Sequence, residues 1–268
     1  MFYARLANLQ NLCYSDAIMS LFILIKQLLL QIHQKDILQD LKLIKNQEKI
    51  LILRYVSEKG LEQDVLAKTL KPKLDAQEMP ENLYGYVLWI AGELMNNVFD
   101  HAQTLGKTLK GGILALNIKN NFVQIGIGDM GIGLKSSLEK NPQIQIKKID
   151  AKHAIQLALT ENTSGWPYKR GNGLPDVLRL VQAGKGKIKI YSDQTIWTQI
   201  KGRNKWEYVK NKLDGIGVIV ACELEMKDFR VPRRSKPKGA NIKLSQFGCQ
   251  LSGRDKGQEA YEILVNKL

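Results

Sequence analysis

The sequence predicts an α+β protein with helices on one face of a mixed or antiparallel sheet. Two β-rich runs, "GGILALNI" and "FVQIGIGD", flank a short asparagine-containing turn and predict an antiparallel hairpin. Helical periodicity precedes this hairpin and returns after it. Three further strand-like runs follow: "KIKIYSD", "KWEYVK" and "IGVIVACELE". The order helix, hairpin, loop, helix and strands is what indicates the α+β class.

The composition is that of an ordinary globular protein with an unusual excess of positive charge. The chain has 268 residues, 44% of them apolar, which predicts one large domain or two small ones. Its net charge of +14 favours anionic partners, but the lysines are spread along the chain and indicate no dedicated groove for DNA. Cys13, Cys222 and Cys249 are too far apart to suggest a disulfide framework or a zinc site. A reducing, cytoplasmic location fits this cysteine usage best.

Residues 1–75 are predicted to form a helical segment. From Ala17 to about Ser57 the apolar positions recur every three or four residues, so we expect two or three helices. These helices either pack on the next domain or pair with a second copy of the chain in a homodimer. Lys26 interrupts the most apolar stretch, which is too short for a membrane span. His33 is interpreted as a polar helix position rather than a phospho-acceptor.

The run "ELMNNVFDHA" predicts an amphipathic helix with an unusual polar face. The helix is expected to begin after Pro80, and its polar side presents Glu93, Asn97 and Asp100, which are three and four residues apart. A solvated face of so basic a protein would be expected to contain lysine, and this one does not. The oxygen-rich face therefore predicts the floor of a binding site. Asn96 is interpreted as a helix-surface position.

Two glycine-rich turns follow. "GDMGIGL" ends the hairpin, and "RGNGLPDVLRL" leads into a helix with Pro175 in its first turn. A glycine-rich turn before a helix presents free backbone N–H groups and the positive end of the helix dipole to a phosphate.

Taken in order, these motifs resemble those of the GHKL superfamily, which includes the ATPases of gyrase, the ninety-kilodalton heat-shock chaperone, histidine kinases and MutL repair proteins. "ELMNNVFDHA" looks like the N box, "GDMGIGL" the first glycine box, "GNGL" the second, and "IGVIVACELE" the closing strand. The resemblance extends from about Ala76 to Lys227. It implies that residues 76–228 form a Bergerat-type ATP-binding sandwich of helices on a mixed, mostly antiparallel sheet.

The resemblance also implies roles for the polar residues. Asn97 corresponds to the asparagine that helps to hold Mg²⁺, and an amide oxygen is a suitable ligand for this ion. Asp129 corresponds to the aspartate that accepts the adenine amino group. Glu93 lies where gyrase-type members keep a general base that activates water, and where other subfamilies carry out protein phosphorylation.

For the glycine boxes, the resemblance implies close approach of the backbone to the nucleotide. Gly131 and Gly133 let the backbone pass the base, whereas Gly171, Gly173 and Leu174 belong to the turn that brings amides to the phosphates. In the intervening loop, which would be the ATP lid, Lys169 and Arg170 are expected to reach the terminal phosphate. Val218 stands where many relatives carry threonine, which leaves the subfamily open.

These features together predict a domain that binds Mg²⁺ and ATP, nearest to histidine-kinase-like or anti-sigma-factor-kinase-like ATPase domains. It would act as a protein kinase or an ATPase in a bacterial cytoplasmic signalling system, with a protein partner as phosphoryl acceptor. The alternative is a non-catalytic switch in which ATP changes the docking of a partner. Binding of nucleic acid is a third and weaker hypothesis, because no aromatic-basic motif is present.

Residues 229–268 are predicted to be a basic linker followed by one strand and one helix. This tail weakly resembles the beginning of a STAS-like module, which would make the chain a truncated piece. The alternative is a C-terminal helix packed on the ATPase domain.

Overall fold

The computed structural model describes residues 17–35, 50–56, 70, 74, 79, 81–101, 111–119, 121–140, 149–160, 173–210, 213 and 215–226. Five helices lie in these ranges: α1 (Ala17–Lys35), α2 (Glu81–His101), α3 (Gly133–Leu138), α4 (Ala151–Ala158) and α5 (Gly173–Ala183). The strands are β1 (Ile50–Val56), β2 (Gly111–Lys119), β3 (Phe122–Asp129), β4 (Lys187–Ser192), β5 (Thr195–Ile200), β6 (Arg203–Tyr208) and β7 (Val218–Glu225). The protein therefore belongs to the α+β class, as predicted.

The described strands form one antiparallel sheet in the order β1-β2-β3-β7-β4-β5-β6. The predicted hairpin is confirmed as β2 and β3, and Asn121 in its turn has φ 67°. β7 inserts between β3 and β4, so that Gly128 pairs with Ile219 and Tyr191 pairs with the same residue from the other side. This insertion brings the end of β3 next to the start of β7.

The front face of the sheet is covered by α2 and α5. Alternate strand residues such as Leu114, Ile125 and Val220 point into one core together with apolar residues of both helices. Leu94 and Val98 of α2 meet this core, as do three residues of the helix that follows the second glycine-rich turn: Leu174, Val177 and Val181. Both predicted helices begin where the sequence places them. The polar face of α2 is thus held against the N-terminal half of α5.

The back face of the sheet is covered by α1, so helices lie on both faces and not on one as predicted. Ile18, Ile25 and Leu29 of α1 are fully buried against strand residues of the opposite parity, including Ile113 and Ile219. The sequence pattern did not show this second layer because the glycines of "QIGIGD" interrupt the apolar alternation of β3. Those glycines make the space that α1 fills.

Gly126 and Gly128 of β3 lie directly under α1. A Cβ added at Gly128 would lie 2.5 Å from Ile25 Cγ2 and 2.6 Å from Leu29 Cδ1. Such distances leave no space for a side chain, so these glycines allow the helix to approach the sheet closely. Gly128 therefore serves the packing of α1, although it precedes the aspartate of the first glycine motif.

β1 corrects part of the predicted helical segment. Residues Ile50–Val56 form a strand that pairs antiparallel with β2 along its whole length. The run "ILILRYV" has too short a repeat to be separated from a helix by periodicity alone. The helical prediction is right for α1 and wrong for this strand. The tail 229–268 lies outside the described residues, and the proposed division into domains stays a prediction.

No helix in the described part of the chain is long and apolar enough to cross a membrane.

Candidate functional site

The polar face of α2 and the first turn of α5 meet at Gly173. A Cβ added to this glycine would lie 2.6 Å from Glu93 Oε2 and 3.4 Å from Asn97 Oδ1. Gly173 is the first residue of α5, so its backbone N–H belongs to the free donors of the helix N-terminus. Three residues predicted to act together are thus brought together.

The amide of Asn97 contains a buried polar atom that has no hydrogen-bond partner in the described part of the chain. Its Nδ2 is buried, and no hydrogen-bond acceptor is present for it among the described residues. A buried amide without a partner costs free energy on the order of 1–3 kcal/mol unless a ligand or water satisfies it. Exchange of the amide oxygen and nitrogen by a half-turn of the side chain places an oxygen at the same point. The site therefore provides an amide group that a cation or a phosphate-bound water can use.

Asp129, at the end of β3, is the second buried polar centre. Its side-chain Oδ1 accepts hydrogen bonds from the backbone N–H of Gly131 (2.7 Å) and of Val218 (3.3 Å). The backbone N–H of Gly217 donates to the carbonyl oxygen of Asp129 at 2.9 Å. No donor from the described residues is bonded to Oδ2, so this oxygen remains able to accept a hydrogen bond from a ligand.

Burial raises the pKa of Asp129 from 3.8 to about 7. The hydrogen bonds from Gly131 and Val218 oppose this effect, and the negative charge of Asp193 adds to it. A carboxyl group with a pKa near neutrality, held in place by two backbone N–H groups, is the kind of perturbed group found at binding sites. A donor from a ligand would favour its ionised form.

Gly217 permits the close contact between Asp129 and β7. A Cβ at this position would clash with Asp129 Oδ1 and lie 2.8 Å from the backbone nitrogen of Gly131. Gly217 was not among the predicted site residues. The signal was the run "DGIGV" before the last strand, in which a glycine directly precedes the strand that pairs with β3.

Gly133 lies against the turn between β4 and β5, and the role predicted for it beside the base stays a prediction. Its φ of +83° favours glycine, and a Cβ there would lie 2.9 Å from both carboxylate oxygens of Asp193. The close neighbour of Gly133 in the structure is thus the turn between β4 and β5. Gly131, by contrast, contacts Asp129 and Gly217 through its backbone.

The remaining predicted residues divide into two groups. Leu174 is buried in the front core at the start of α5, where it positions the helix. Lys169, Arg170 and Gly171 lie outside the described residues, as does the side chain of Asp100.

The two polar centres belong to one layer of the molecule. Leu134, which follows the first glycine motif, and Val218, which donates to Asp129, pack against the same core cluster as Val98 of α2 and Leu174 of α5. The loop after β3 and the α2–α5 contact are therefore parts of the front layer.

No protein-family model matches the chain, and comparison with curated proteins finds no match either.

Proposed function

We propose that this chain binds Mg²⁺ and ATP on its front face, in a Bergerat-type fold. One observation supports the proposal most: Glu93 and Asn97 of α2 meet the N-terminus of α5 at Gly173, where an added Cβ would lie 2.6 Å from Glu93 Oε2 and 3.4 Å from Asn97 Oδ1. A helix N-terminus is suited to a phosphate, and the adjacent amide is suited to the cation that accompanies it. Asp129, with one carboxylate oxygen free of described donors, is suited to the amino group of adenine.

Asn97 is the residue that would hold Mg²⁺. The described residues contain no cluster of three or more His, Cys, Asp or Glu side chains at metal-binding spacing, so most ligands of the ion would come from phosphate oxygens and water. The bound ion would neutralise charge on the phosphates.

Glu93 is proposed as the general base for water or for a protein hydroxyl. It lies one helical turn from Asn97 and faces the same glycine, so a nucleophile next to the terminal phosphate would be within its reach. The first turn of α5 supplies the backbone N–H groups that orient the phosphates. According to this hypothesis, the chain is a protein kinase or an ATPase in a bacterial cytoplasmic signalling system. In the case of a kinase, a partner protein provides the phosphoryl acceptor.

A second candidate is a non-catalytic switch, and the position of Met130 favours it. This residue separates Asp129 from Gly131, and it packs against the back-face cluster that contains α1. A nucleotide that orders the loop after β3 would therefore also change the surface against which α1 packs. ATP binding would then change the docking of α1 or of a partner without any phosphoryl transfer.

The experiment for the proposed function is calorimetric titration with Mg²⁺ and ATP, with GTP as the control ligand. Wild type is expected to bind ATP in preference to GTP, and Asn97→Ala is expected to lose most of the Mg²⁺-dependent affinity. Asn96→Ala, one residue away on the same helix, serves as the matched control and should bind as wild type. Absence of ATP binding by the wild type, or equal loss in both variants, would refute the proposal.

Glu93→Gln separates the two candidates. If the chain is an enzyme, this variant keeps its ATP affinity but forms ADP, with phosphate released or transferred to a partner protein, on the order of 100-fold more slowly, because a general base contributes about 10²–10⁴-fold to the rate. If the chain is a switch, the wild type forms no ADP, with or without a partner protein, and Glu93→Gln changes nothing.

A further inference from the structure

The β4–β5 turn is bonded to the loop that follows Asp129. Ser192 Oγ accepts a hydrogen bond from the backbone N–H of Leu134 at 2.9 Å, and it donates one to Asp193 Oδ2 at 2.8 Å. The same carboxylate oxygen accepts from the backbone N–H of Lys135 at 3.2 Å. Two consecutive amides are thus bound by two consecutive side chains that are 58 residues away in the sequence.

The turn itself is well suited to be a fixed support. Asp193 and Gln194 have φ values of 48° and 71° and connect two strands without further residues, as in a type I′ hairpin. Ser192 has no exposed surface, and it pairs with Val218 of β7 across the sheet. Its hydroxyl group can therefore move only with the sheet.

The other side of the contact is equally constrained. Gly133 has φ +83° and passes so close to Asp193 that a Cβ would lie 2.9 Å from either carboxylate oxygen. Residues with a side chain cannot take this path without displacing Asp193. Gly133 thus leaves free the space that the Asp193 carboxylate occupies.

The loop from Asp129 to Lys135 is consequently fixed at both ends. At its start, Asp129 is held by the backbone of Gly217 and Val218. At its end, the amides of Leu134 and Lys135 are held by Ser192 and Asp193. Burial is the main cause of the raised pKa of Asp129, and the negative charge of Asp193 adds a smaller contribution.

We propose that Ser192 and Asp193 are positioning residues for the base end of the nucleotide site. They hold the Gly131–Leu134 backbone at the distance from Asp129 that an adenine ring needs. This inference rests on the proposed function, since it concerns the same site. According to this inference, the first glycine motif does not select the base alone. The β4–β5 turn, which is separated from β3 by β7 in the strand order, contributes to the selection.

A purely structural role would make a different prediction. If the turn only stabilises the fold, substitutions in it lower the unfolding temperature and leave the affinity of the folded protein for nucleotides unchanged. If it positions the base end, the affinity falls for every ligand that has an adenine base, irrespective of the number of phosphates. Substitutions at the phosphate end affect only ligands that have the terminal phosphates.

The test compares Ser192→Ala and Asp193→Ala with Gln194→Ala as the matched control. Gln194 occupies the same turn with the same sign of φ, but its side chain donates to the carbonyl oxygen of Lys210 and not to the loop. An alanine at position 193 or 194 therefore has a similar backbone strain. Asp193→Asn is added because it retains an acceptor oxygen without the charge.

Affinities for ATP and for AMP are measured by calorimetry, below the unfolding temperature of each variant. Ser192→Ala and Asp193→Ala are expected to lower the affinities for ATP and for AMP by a similar factor. This factor is roughly 5- to 30-fold for the loss of one or two hydrogen bonds. The affinities of Asp193→Asn and of Gln194→Ala for both ligands should stay within about threefold of those of the wild type. A change of this size is usual for a single substitution that removes no important contact. Asn97→Ala should lower the affinity for ATP much more than the affinity for AMP.

Three results would overturn the inference. If Ser192→Ala and Asp193→Ala bind both ligands as tightly as Gln194→Ala, the turn has only a structural role while the proposed function stands. If the loss is confined to ATP, the turn acts at the phosphate end. If wild type binds neither ATP nor AMP, the proposed function and this inference fall together. Should Ser192→Ala not fold, the pair Asp193→Ala and Asp193→Asn decides the same question.

Discussion

Asp129 is the buried carboxyl group at the end of β3. Its carboxyl group is buried, and two backbone N–H groups fix one of its oxygens. The cost of ionising it in this position appears as a pKa near 7. A ligand that donates a hydrogen bond to the second oxygen would reduce this cost, which is why the residue is suited to bind a base amino group.

The raised pKa predicts how stability depends on pH. The folded protein holds the Asp129 proton up to about pH 7, whereas the unfolded chain releases it near 3.8. Between these values the folded state binds more protons, so the free energy of unfolding falls as the pH rises. Relative to Asp129→Asn, which does not titrate, the wild type should lose about 2–4 kcal/mol between pH 4 and pH 8.

Urea unfolding of both proteins at pH 4.5 and pH 8, without nucleotide, measures this difference. Titrations elsewhere in the chain cancel because both proteins share them. If the difference in the free energy of unfolding between the two proteins does not change with pH, Asp129 ionises at its ordinary pKa in spite of its burial.

At the residue scale, the sequence identified the polar groups better than the backbone contacts. Asn97 and Glu93 could be found because helical spacing places them on one face, and Asp129 because a glycine motif follows it. Ser192 and Asp193 could not be found, because their bonds to the loop join residues 58 positions apart. The same holds for Gly217, whose contact with Asp129 depends on the pairing of β3 with β7.

At the scale of elements, the site depends on the approach of α5 to α2. Gly173→Ala should reduce the affinity for Mg²⁺ and ATP by at least about tenfold, because the added Cβ would lie 2.6 Å from Glu93 Oε2 and 3.4 Å from Asn97 Oδ1, in the space where the phosphates and the ion are proposed to bind. Its effect on stability should be small, since alanine is the better helix former.

Gln182→Ala, at the exposed end of the same helix, is the control and should bind ATP as wild type. Calorimetry of both variants checks the prediction. Undiminished ATP affinity of Gly173→Ala would mean that the nucleotide does not lie at the α2–α5 contact.

The second element-scale prediction concerns α1. Ile25 is fully buried and fills the space above Gly126 and Gly128, so Ile25→Ala should lower the free energy of unfolding by about 2–5 kcal/mol. Gln27→Ala, on the exposed side of the same helix, should change it by less than about 0.5 kcal/mol. The two values are compared by urea unfolding. Equal and small effects would show that α1 is not packed on the sheet in solution.

Elements bounded by turn residues or proline were predicted well, whereas β1 and the position of α1 were not. The hairpin of β2 and β3 and the starts of α2 and α5 follow from turn residues, Pro80 and Pro175. β1 was missed because a run of alternating leucine and isoleucine fits a buried helix as well as a strand. Packing of α1 on the next domain was one of two alternatives, and the sequence left it open because the glycines under α1 leave no apolar pattern.

At the scale of the whole molecule, the two layers meet in the loop after β3. The front face contains Asn97, Glu93 and the start of α5, whereas Met130 of the same loop packs with α1 on the back. One segment of chain thus touches both layers. The enzyme and the switch hypotheses share this geometry and differ only in whether phosphate leaves the site.

The net charge of +14 introduces a competing explanation for any binding of ATP. The β5–β6 hairpin exposes Lys201, Arg203 and Lys205 on the described surface, and such a cluster attracts polyanions without selecting a base. A measurement of affinity alone does not locate the ligand. The location of the phosphates has to be observed directly.

Paramagnetic relaxation by Mn²⁺ bound to ATP gives that location. In an amide-resolved NMR spectrum, we expect Mn²⁺ with ATP to broaden the signals of Asn97, Gly173 and Leu174 most strongly. The signal of Gly131 should be less affected because this residue lies at the proposed base end. Mn²⁺ without ATP should leave these signals nearly unchanged. Broadening centred on Lys201 to Lys205 instead would show that ATP binds as a nonspecific polyanion and would contradict the proposed site.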